Sequence, residues 1–439
     1  MLRTILNMFR ITELRNRVFF TLGLLAVYRI GAYIPTPGIN PDKLKGLFGA
    51  AGSSGLMNMM DLFTGGAMRN VTILALGIMP YISASIILQL MTSVVPTLEK
   101  LSHEGEAGRK KINQYTRYGT VLVCIIQSMM LSNQLVKGGV NLIPAPWFNI
   151  IVMITLTAGT LWLMWLGEQI TSRGIGNGIS LIIMAGIVSR MPVAARQIWA
   201  LYGTGASESR PFWQVVMLAV MFVGVVAGVI YVIQGQRRIP VQYAKRVSGG
   251  KVFGGQSTYI PLRVNQAGVI PIIFASAILM LPAALSRAVP DSWPMLKDFL
   301  GLFARGGLVY LLTYAGGIIF FCFFYTAITF NPVQISDDFK RSGAFIPGVR
   351  PGKPTADFLE YTMVRITVAG SIFLAIIAVV PMIVARQLQI NYLVASFLGG
   401  TGLLITVGVM LDTMQQIEAH LLMRHYDGFM KDGKLKGRY

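Results

Sequence analysis

The sequence predicts an all-α protein that crosses a membrane about ten times, and three observations lead to this fold class. The chain of 439 residues is 54% hydrophobic and only 13% charged, whereas a soluble domain carries about 25% charged residues. Its apolar residues lie in runs of roughly 20, which is the length that spans the hydrocarbon core of a bilayer. Its Lys and Arg residues concentrate between alternate runs, as they do in membrane proteins with a fixed orientation.

Ten apolar segments are expected to form the spanning helices. They are residues 18–36, 71–94, 116–136, 149–169, 178–198, 212–234, 266–287, 307–329, 363–384 and 392–414. The first follows a basic amphipathic stretch and ends at the sequence PTPG rather than at a small-residue cleavage site. We therefore expect it to be a retained membrane helix and not a cleaved signal peptide.

The distribution of positive charge predicts the orientation of these spans. Of the 38 Lys and Arg residues, 26 fall on the side of the two termini and 11 on the opposite side, while Arg29 lies within the first span. Because positively charged loops stay in the cytoplasm, both termini are expected inside and the number of spans is even.

Residues 56–68 form an apolar segment that is too short to span, and Gly65 and Gly66 separate it from the second span. Such a segment is re-entrant, interfacial or packed inside a helix bundle.

Ten spans with both termini on one side divide into two five-helix halves, residues 1–200 and 201–439. We expect the halves to be inverted relative to each other and hinged near the polar, Gly/Ser-containing residues 199–211. The second half carries two long basic inside loops, residues 235–263 and 330–362. These loops serve as topology signals, or they dock onto an RNA backbone or an acidic protein face.

The spans lack the groups that several classes of membrane protein require. Arg29 and Glu168 are expected near the ends of their helices and Asp412 at the end of the last one, so no ionisable group is predicted at the midplane, where an ion-coupled transporter needs one. The three histidines fall in loops or the tail, and no catalytic cluster, channel filter, metal site or cofactor motif is visible. Cys124 and Cys322 lie inside apolar runs and are expected to be small buried hydrophobes.

Two local patterns stand out within the spans and their turns. Ile78 and Ile82, and likewise Ile179 and Ile183, are four residues apart and share one helix face. Each pair forms either bundle core or an apolar pore constriction. The glycine-rich residues 173–180 lack the preceding strand and the Lys of a phosphate-binding loop, so they predict a tight turn with Asn177 as a helix cap.

Seven stretches, taken together, resemble the SecY family, the pore-forming subunits of the bacterial Sec protein translocon. They are residues 75–89, 104–119, 164–180, 235–246, 256–271, 319–326 and 342–352. The resemblance runs almost from end to end. It implies ten helices in two inverted halves around a central hourglass pore.

The resemblance also implies roles for individual residues. The pore ring would be Ile78, Ile82, Ile179, Ile183, Ile273 and Ile405. The plug, at residues 56–68, would include Leu56, Met57, Met60, Phe63, Gly65 and Gly66. The lateral gate would lie between the helices at 71–94 and 266–287, with Ser83, Gln89, Gln127 and Asn265 as polar contacts. Docking of SecA or the ribosome would use Arg237, Arg238, Lys245, Arg246 and Arg350.

The implied function is a passive, non-enzymatic conduit in the bacterial inner (plasma) membrane. It would carry secretory polypeptides with signal sequences across the membrane and release membrane proteins sideways into lipid, driven by SecA or the ribosome and without a cofactor. SecE, SecG, SecDF and YidC would be further partners. A secondary transporter, an intramembrane enzyme and a non-transporting scaffold remain the alternative interpretations.

Overall fold

The computed structural model describes residues 11–44, 61–202, 212–243, 246–248, 251–253, 257–288, 293–304, 307–388, 394, 396–397 and 400–432. The helices are α1 (Thr12–Gly31), α2 (Met79–Val94), α3 (Pro96–His103), α4 (Glu106–Lys137), α5 (Ala145–Arg173), α6 (Gly178–Tyr202), α7 (Phe212–Gln234), α8 (Ile270–Ala288), α9 (Pro294–Ala304), α10 (Leu308–Thr329), α11 (Pro332–Ser342), α12 (Lys353–Gln387) and α13 (Thr401–Asp432). The strands are β1 (Gln236–Tyr243), β2 (Arg246–Ser248), β3 (Lys251–Phe253), β4 (Ser257–Arg263) and β5 (Ala344–Phe345).

Each of the ten predicted spans coincides with one of these helices, so the predicted helical fold is confirmed. Among the described residues, six helices are by themselves long and apolar enough to cross a membrane, and α2 with the sharply bent α3 adds a seventh. The spanning helices outside this set include α1, which carries charges at both ends, and α8, whose described apolar segment is Ile270–Leu279.

The second span begins later than its hydropathy indicates, because its first residues are turns. The helix α2 starts at Met79 with Pro80 in its first turn, a position where the missing N–H of proline does no harm. Just before it, Gly77 has a φ of +59°, a left-handed conformation that stops a helix from extending backwards.

The last helix differs from its predicted span at both ends. It starts at Thr401 rather than at residue 392 and continues to Asp432. Asp412 was expected at the end of this helix, and that expectation was wrong, because the helix runs for about five more turns beyond it. Hydropathy detects only the apolar part of a helix, whereas the hydrogen-bonded backbone continues into the polar segment.

The two basic loops join in one small sheet, which the sequence did not predict. Strand β1 pairs antiparallel with β4 along seven residue pairs, from Gln236↔Arg263 to Gln242↔Ser257. Its other edge pairs with β5, in the sheet order β4-β1-β5. Buried apolar side chains of both loops, such as Ile239 and Ile346, form a separate core with the start of α12.

The helix contacts repeat between the two halves of the chain. In the first half, α1 contacts α5 and α6, α2 contacts α4, α4 contacts α5, and α5 contacts α6. In the second, α7 contacts α12 and α13, α8 contacts α10, and α10 contacts α12. Four of the five pairs therefore recur at equivalent positions. This recurrence supports the proposed division into two five-helix halves, which meet where α2 contacts α8 and α6 contacts α13.

A stripe of small residues is buried along α4, and Ser132 within it donates a hydrogen bond to Asn149 on α5. Thr116, Thr120, Cys124, Ser128 and Ser132 repeat every four residues along α4, and all are buried. Small side chains let membrane helices approach closely, and their hydroxyls find hydrogen bonds within the bundle. Cys124, like Cys322 on α10, is a buried free thiol, as the sequence predicted.

Exposed tryptophans mark one boundary of the bundle. Trp147 begins α5, Trp199 ends α6, Trp213 begins α7 and Trp293 precedes α9, and all four are more than half exposed. The up-and-down order of the helices puts these positions at the same end, that of the predicted outer loops. Tryptophan is enriched at the membrane–water interface, so this belt supports the placement of the spans.

Candidate functional site: an apolar constriction and its closing segment

The six isoleucines that the resemblance assigned to the pore ring all belong to the main hydrophobic core. They are Ile78 and Ile82 at the start of α2, Ile179 and Ile183 in α6, Ile273 in α8, and Ile405 in α13. All except the partly buried Ile179 are 4% exposed or less. Since two of these helices belong to each half, the isoleucines lie where the halves meet.

We call these six isoleucines the predicted constriction; all are apolar, and five of them are buried. Isoleucine offers no hydrogen-bonding group to a passing ion or peptide, and its branched side chain has few rotamers. A narrow apolar ring of this kind blocks ions because water leaves it. The arrangement can therefore form a seal, but it cannot select an ion or bind a polar solute.

The segment that precedes α2 packs against the same cluster from the side of the predicted outer loops. Leu62 and Phe63 are buried in it. Of the predicted plug residues, Leu56, Met57 and Met60 lie outside the described residues, while Phe63, Gly65 and Gly66 are described. At Gly65, with a φ of +63°, a Cβ atom would lie 2.9 Å from the backbone of Gly186 on α6. Only glycine allows this close contact between the two backbones.

Two arginines hold this segment through polar contacts. Arg29 on α1 donates a 2.8 Å hydrogen bond from Nη1 to the carbonyl oxygen of Gly65, and Arg190 on α6 forms an ion pair with Asp61. This pair was not expected from the sequence, although Arg190 lies within the predicted span 178–198. An ionisable group inside a span is itself a signal of a buried partner or a water-filled cavity.

The predicted gate residues lie on or beside the helices that form the seam between the halves. Ser83 is buried on α2, and the half-buried Gln89 and Gln127 place their Oε1 atoms where they accept no hydrogen bond from the described residues. Asn265, just before α8, donates its amide to the carbonyl oxygen of Gly268 at 2.7 Å. Asn265 therefore stabilises its own loop in this state.

The predicted docking arginines that the structure describes lie in or beside the small sheet. Arg237 and Arg238 are exposed on β1, where Arg238 lies over the ring of Tyr259 on β4 at 4.8 Å from its centroid. Arg350 is exposed in the turn that follows β5, the partner strand of β1. Lys245 lies outside the described residues, and for Arg246 only the backbone, in β2, is described.

The glycine-rich turn between α5 and α6 is a structural junction. Asn177 caps α6 as predicted, because its Oδ1 accepts the N–H of Ile179 at 3.1 Å. Two backbone N–H groups of the turn bind other helices. The N–H of Ile175 donates to Thr21 Oγ1 on α1 at 3.1 Å, and the N–H of Gly176 donates to Oε1 of Gln416 on α13 at 2.9 Å. The inner ends of the two halves are thus linked at this turn. Within the described part of the chain, no three His, Cys, Asp or Glu side chains are grouped to hold a metal ion.

Comparison with known sequences gives one consistent family. The sequence model of the SecY family matches residues 72–414. The protein translocase subunit SecY of Chlamydia trachomatis is 43% identical to this chain, with 99% of each chain covered. The subunits of the same name from Thermotoga maritima and Pseudomonas aeruginosa are also 43% identical, with 98% of each chain covered in the first case and 97% and 95% in the second.

Solved structures share the fold at low sequence identity. A structure described as that of a protein conducting channel aligns with a TM-score of 0.61 at 19% identity, over 92% of this chain and 91% of that one. A second, described as Sec61 in the canine ribosome-channel complex from the endoplasmic reticulum, aligns with a TM-score of 0.57 at 17% identity and the same coverage. The fold therefore extends over nearly the whole chain.

Proposed function

We propose, from the premise that this chain belongs to the SecY family of protein translocase subunits, that its isoleucine constriction is the gate of a protein-conducting channel. The chain is a subunit of a protein-translocation channel in a membrane. Its proposed cellular site is the bacterial plasma membrane, with both termini in the cytoplasm, as the positive charge of the inside loops indicates.

The burial of these isoleucines is the observation that carries the proposal. Ile78, Ile183, Ile273 and Ile405 come from four helices, two from each proposed half, and each is 4% exposed or less. A passage for polypeptides must admit every side chain and bind none of them tightly, and an apolar ring meets both requirements. Separation of the halves would widen the ring around a polypeptide. When the halves come together again, the ring would seal the membrane to ions.

Sideways release follows from the seam between the halves. The helices α2 and α8 contact each other across it, and lipid lies outside. A signal sequence is an apolar helix, so it partitions into lipid wherever a gap in the bundle allows. Ser83, Gln89, Gln127 and Asn265 lie on or beside the helices at this seam, where opening replaces their surroundings with the incoming helix.

The driving force comes from partners, because the sequence contains no nucleotide-binding motif. Arg237, Arg238 and Arg350 form the exposed basic surface on which the SecA motor or the ribosome would dock. Basic side chains bind the phosphates of RNA and acidic protein faces alike. SecE and SecG would complete the channel, with SecDF and YidC as further partners.

Reconstitution of this chain with SecE, SecG, SecA and ATP into liposomes tests the proposal. A preprotein is added outside, and the fraction protected from protease is measured. Protection is expected to require ATP and an intact signal sequence. Matched controls omit ATP, or replace the signal sequence with a polar segment of equal length.

The outcomes separate the proposed function from its alternatives. Protected full-length preprotein supports the channel. If the chain binds SecA and stimulates its ATPase but protects nothing, the conduit role is wrong and a scaffold is favoured. If SecA does not couple at all while the vesicles take up a small solute in a saturable manner, the chain is a transporter.

A further inference from the structure

An ion pair is buried between α6 and the segment that closes the constriction. The side chains of Asp61 and Arg190 are only 7% and 12% exposed, and they contact each other directly. Arg190 lies in the middle of the α6 sequence, seven residues from Ile183. Ionisable groups inside a membrane protein are costly to keep, so they are rare and usually functional.

Asp61 organises the closing segment as well as binding α6. Its Oδ1 atom accepts the backbone N–H of Arg69 at 3.1 Å, and its carbonyl oxygen accepts the N–H of Gly66 at 3.0 Å. The backbone at Gly66 packs against the guanidinium of Arg190, because a Cβ atom added at Gly66 would be 2.9 Å from Arg190 Cζ. One carboxylate thus closes the loop of residues 61–69 and attaches that loop to α6.

A second arginine binds the same loop from a different helix. Arg29 donates from Nη1 to the carbonyl oxygen of Gly65 and from Nη2 to the hydroxyl of Tyr33, both at 2.8 Å. Arg29 is the one Lys or Arg residue that lies within the first predicted span, and so it was not assigned to either side of the membrane. The loop is therefore attached to α1 and to α6 by polar contacts, in addition to its apolar contact with the constriction.

We propose that the Asp61–Arg190 ion pair is a latch that keeps the channel closed and sets how strong a signal sequence must be to open it. The proposal rests on the proposed function, in which this segment leaves the constriction when a polypeptide enters. In the closed state the two charges are desolvated and depend on each other. In the open state both face a water-filled passage, where hydration replaces the pair and the pair itself contributes little. The pair therefore stabilises the closed state selectively.

An apolar pair at these positions would act differently. It would hold the closed segment, but it would oppose release, because the separated side chains would meet water. An ion pair recovers its hydration when it separates. The latch consequently resists small fluctuations and still lets the segment leave once a signal sequence has separated the halves.

The test uses the full chain with SecE and SecG in planar bilayers, without a motor or preprotein. The variants are Asp61→Asn, Arg190→Gln and the double variant, and the control is Arg196→Gln, an exposed arginine on the same helix. Each single variant leaves one buried charge unpaired in the closed state. The idle ion conductance should therefore rise at least about tenfold. The double variant should leak less than the product of the two single effects, because the residues act as a pair.

A second readout measures signal stringency in vesicles with SecA and ATP. The single variants should translocate a preprotein with a weakened signal sequence, whereas the wild type and Arg196→Gln should not. Where these variants assemble poorly, a covalent link replaces the ion pair. A chain with Asp61→Cys and Arg190→Cys, in which Cys124→Ala and Cys322→Ala remove the native thiols, is cross-linked with a short, cleavable bifunctional thiol reagent. Translocation should stop when this link forms and resume when it is cleaved.

Three results would overturn the latch while the proposed function stands, provided that the wild type translocates. The first is that the single variants neither leak ions nor accept weak signal sequences. The second is that the two single effects multiply without coupling, and the third is that the cross-linked chain translocates at the normal rate. Failure of the wild-type chain itself to translocate would instead contradict the proposed function.

Discussion

Truncation of one isoleucine in the constriction should open the idle channel, and Ile183→Ala is the sharpest case. Ile183 is 1% exposed, so nearly all of its side-chain contacts are lost. Removal of three buried carbon atoms costs about 2.4 kcal/mol at ~0.8 kcal/mol each. The cavity left behind places the total cost at about 2–5 kcal/mol.

The effect on gating follows if those contacts exist only in the closed state. A closed state destabilised by about 2 kcal/mol raises the open population roughly 30-fold, since 1.4 kcal/mol corresponds to a factor of ten. We expect the idle ion conductance of the reconstituted channel in planar bilayers to rise by about that factor. Addition of a signal sequence should then increase the conductance less than it does in the wild type.

The neighbouring residue gives a matched control. Ile182 is 2% exposed on the same helix, but it lies against α5, where its Cδ1 atom would be 3.6 Å from a Cβ at Gly167. Ile182→Ala should reduce the resistance of the purified channel to thermal unfolding as much as Ile183→Ala does, without a comparable leak. Equal leaks from the two variants, or no leak from Ile183→Ala, would refute the role of the constriction.

Two further substitutions test the closing segment and the docking surface. Gly186→Ala should raise the idle ion conductance, because the new Cβ atom would lie 2.8 Å from the carbonyl oxygen of Phe63 and displace the closing segment at a cost of about 1–3 kcal/mol. The control Gly224→Ala has open space around its Cβ atom and should leave the conductance unchanged. Equal conductance of the two variants would contradict the importance of this contact. Arg350→Glu should lower SecA-dependent translocation about tenfold or more through like-charge repulsion, and the stimulation of the SecA ATPase is measured in the same preparation. The control Arg386→Glu, at an exposed position near the other end of α12, should leave translocation unchanged. Normal translocation and ATPase stimulation in Arg350→Glu would exclude this residue from docking.

Much of the fold was predictable because its signals are local. Apolar runs of spanning length located all ten spanning helices, and the cap at Asn177 was readable from a few neighbouring residues. The i, i+4 spacing of Ile78 and Ile82 indicated a shared face. What that face contacts could not be read from spacing, so pore and core remained open until the resemblance to the family was considered.

The polar contacts of the segment before α2 were not predictable, because they join distant parts of the chain. Asp61 and Arg190 are 129 residues apart, and nothing near either residue indicates its partner. The pairing of β1 with β5 likewise joins loops about 100 residues apart. The helical length beyond Asp412 was missed for a different reason, because the hydrophobic window ends before the backbone hydrogen bonding does.

The three-stranded sheet has a mechanical consequence. Strand β1 continues directly from α7, β4 leads into α8, and β5 leads into α12. A push applied to any one of these loops is therefore shared among three helices, all from the same half of the molecule. The sheet therefore couples these three helices, so a force applied by a partner to the inner loops would move them together relative to the helices of the first half.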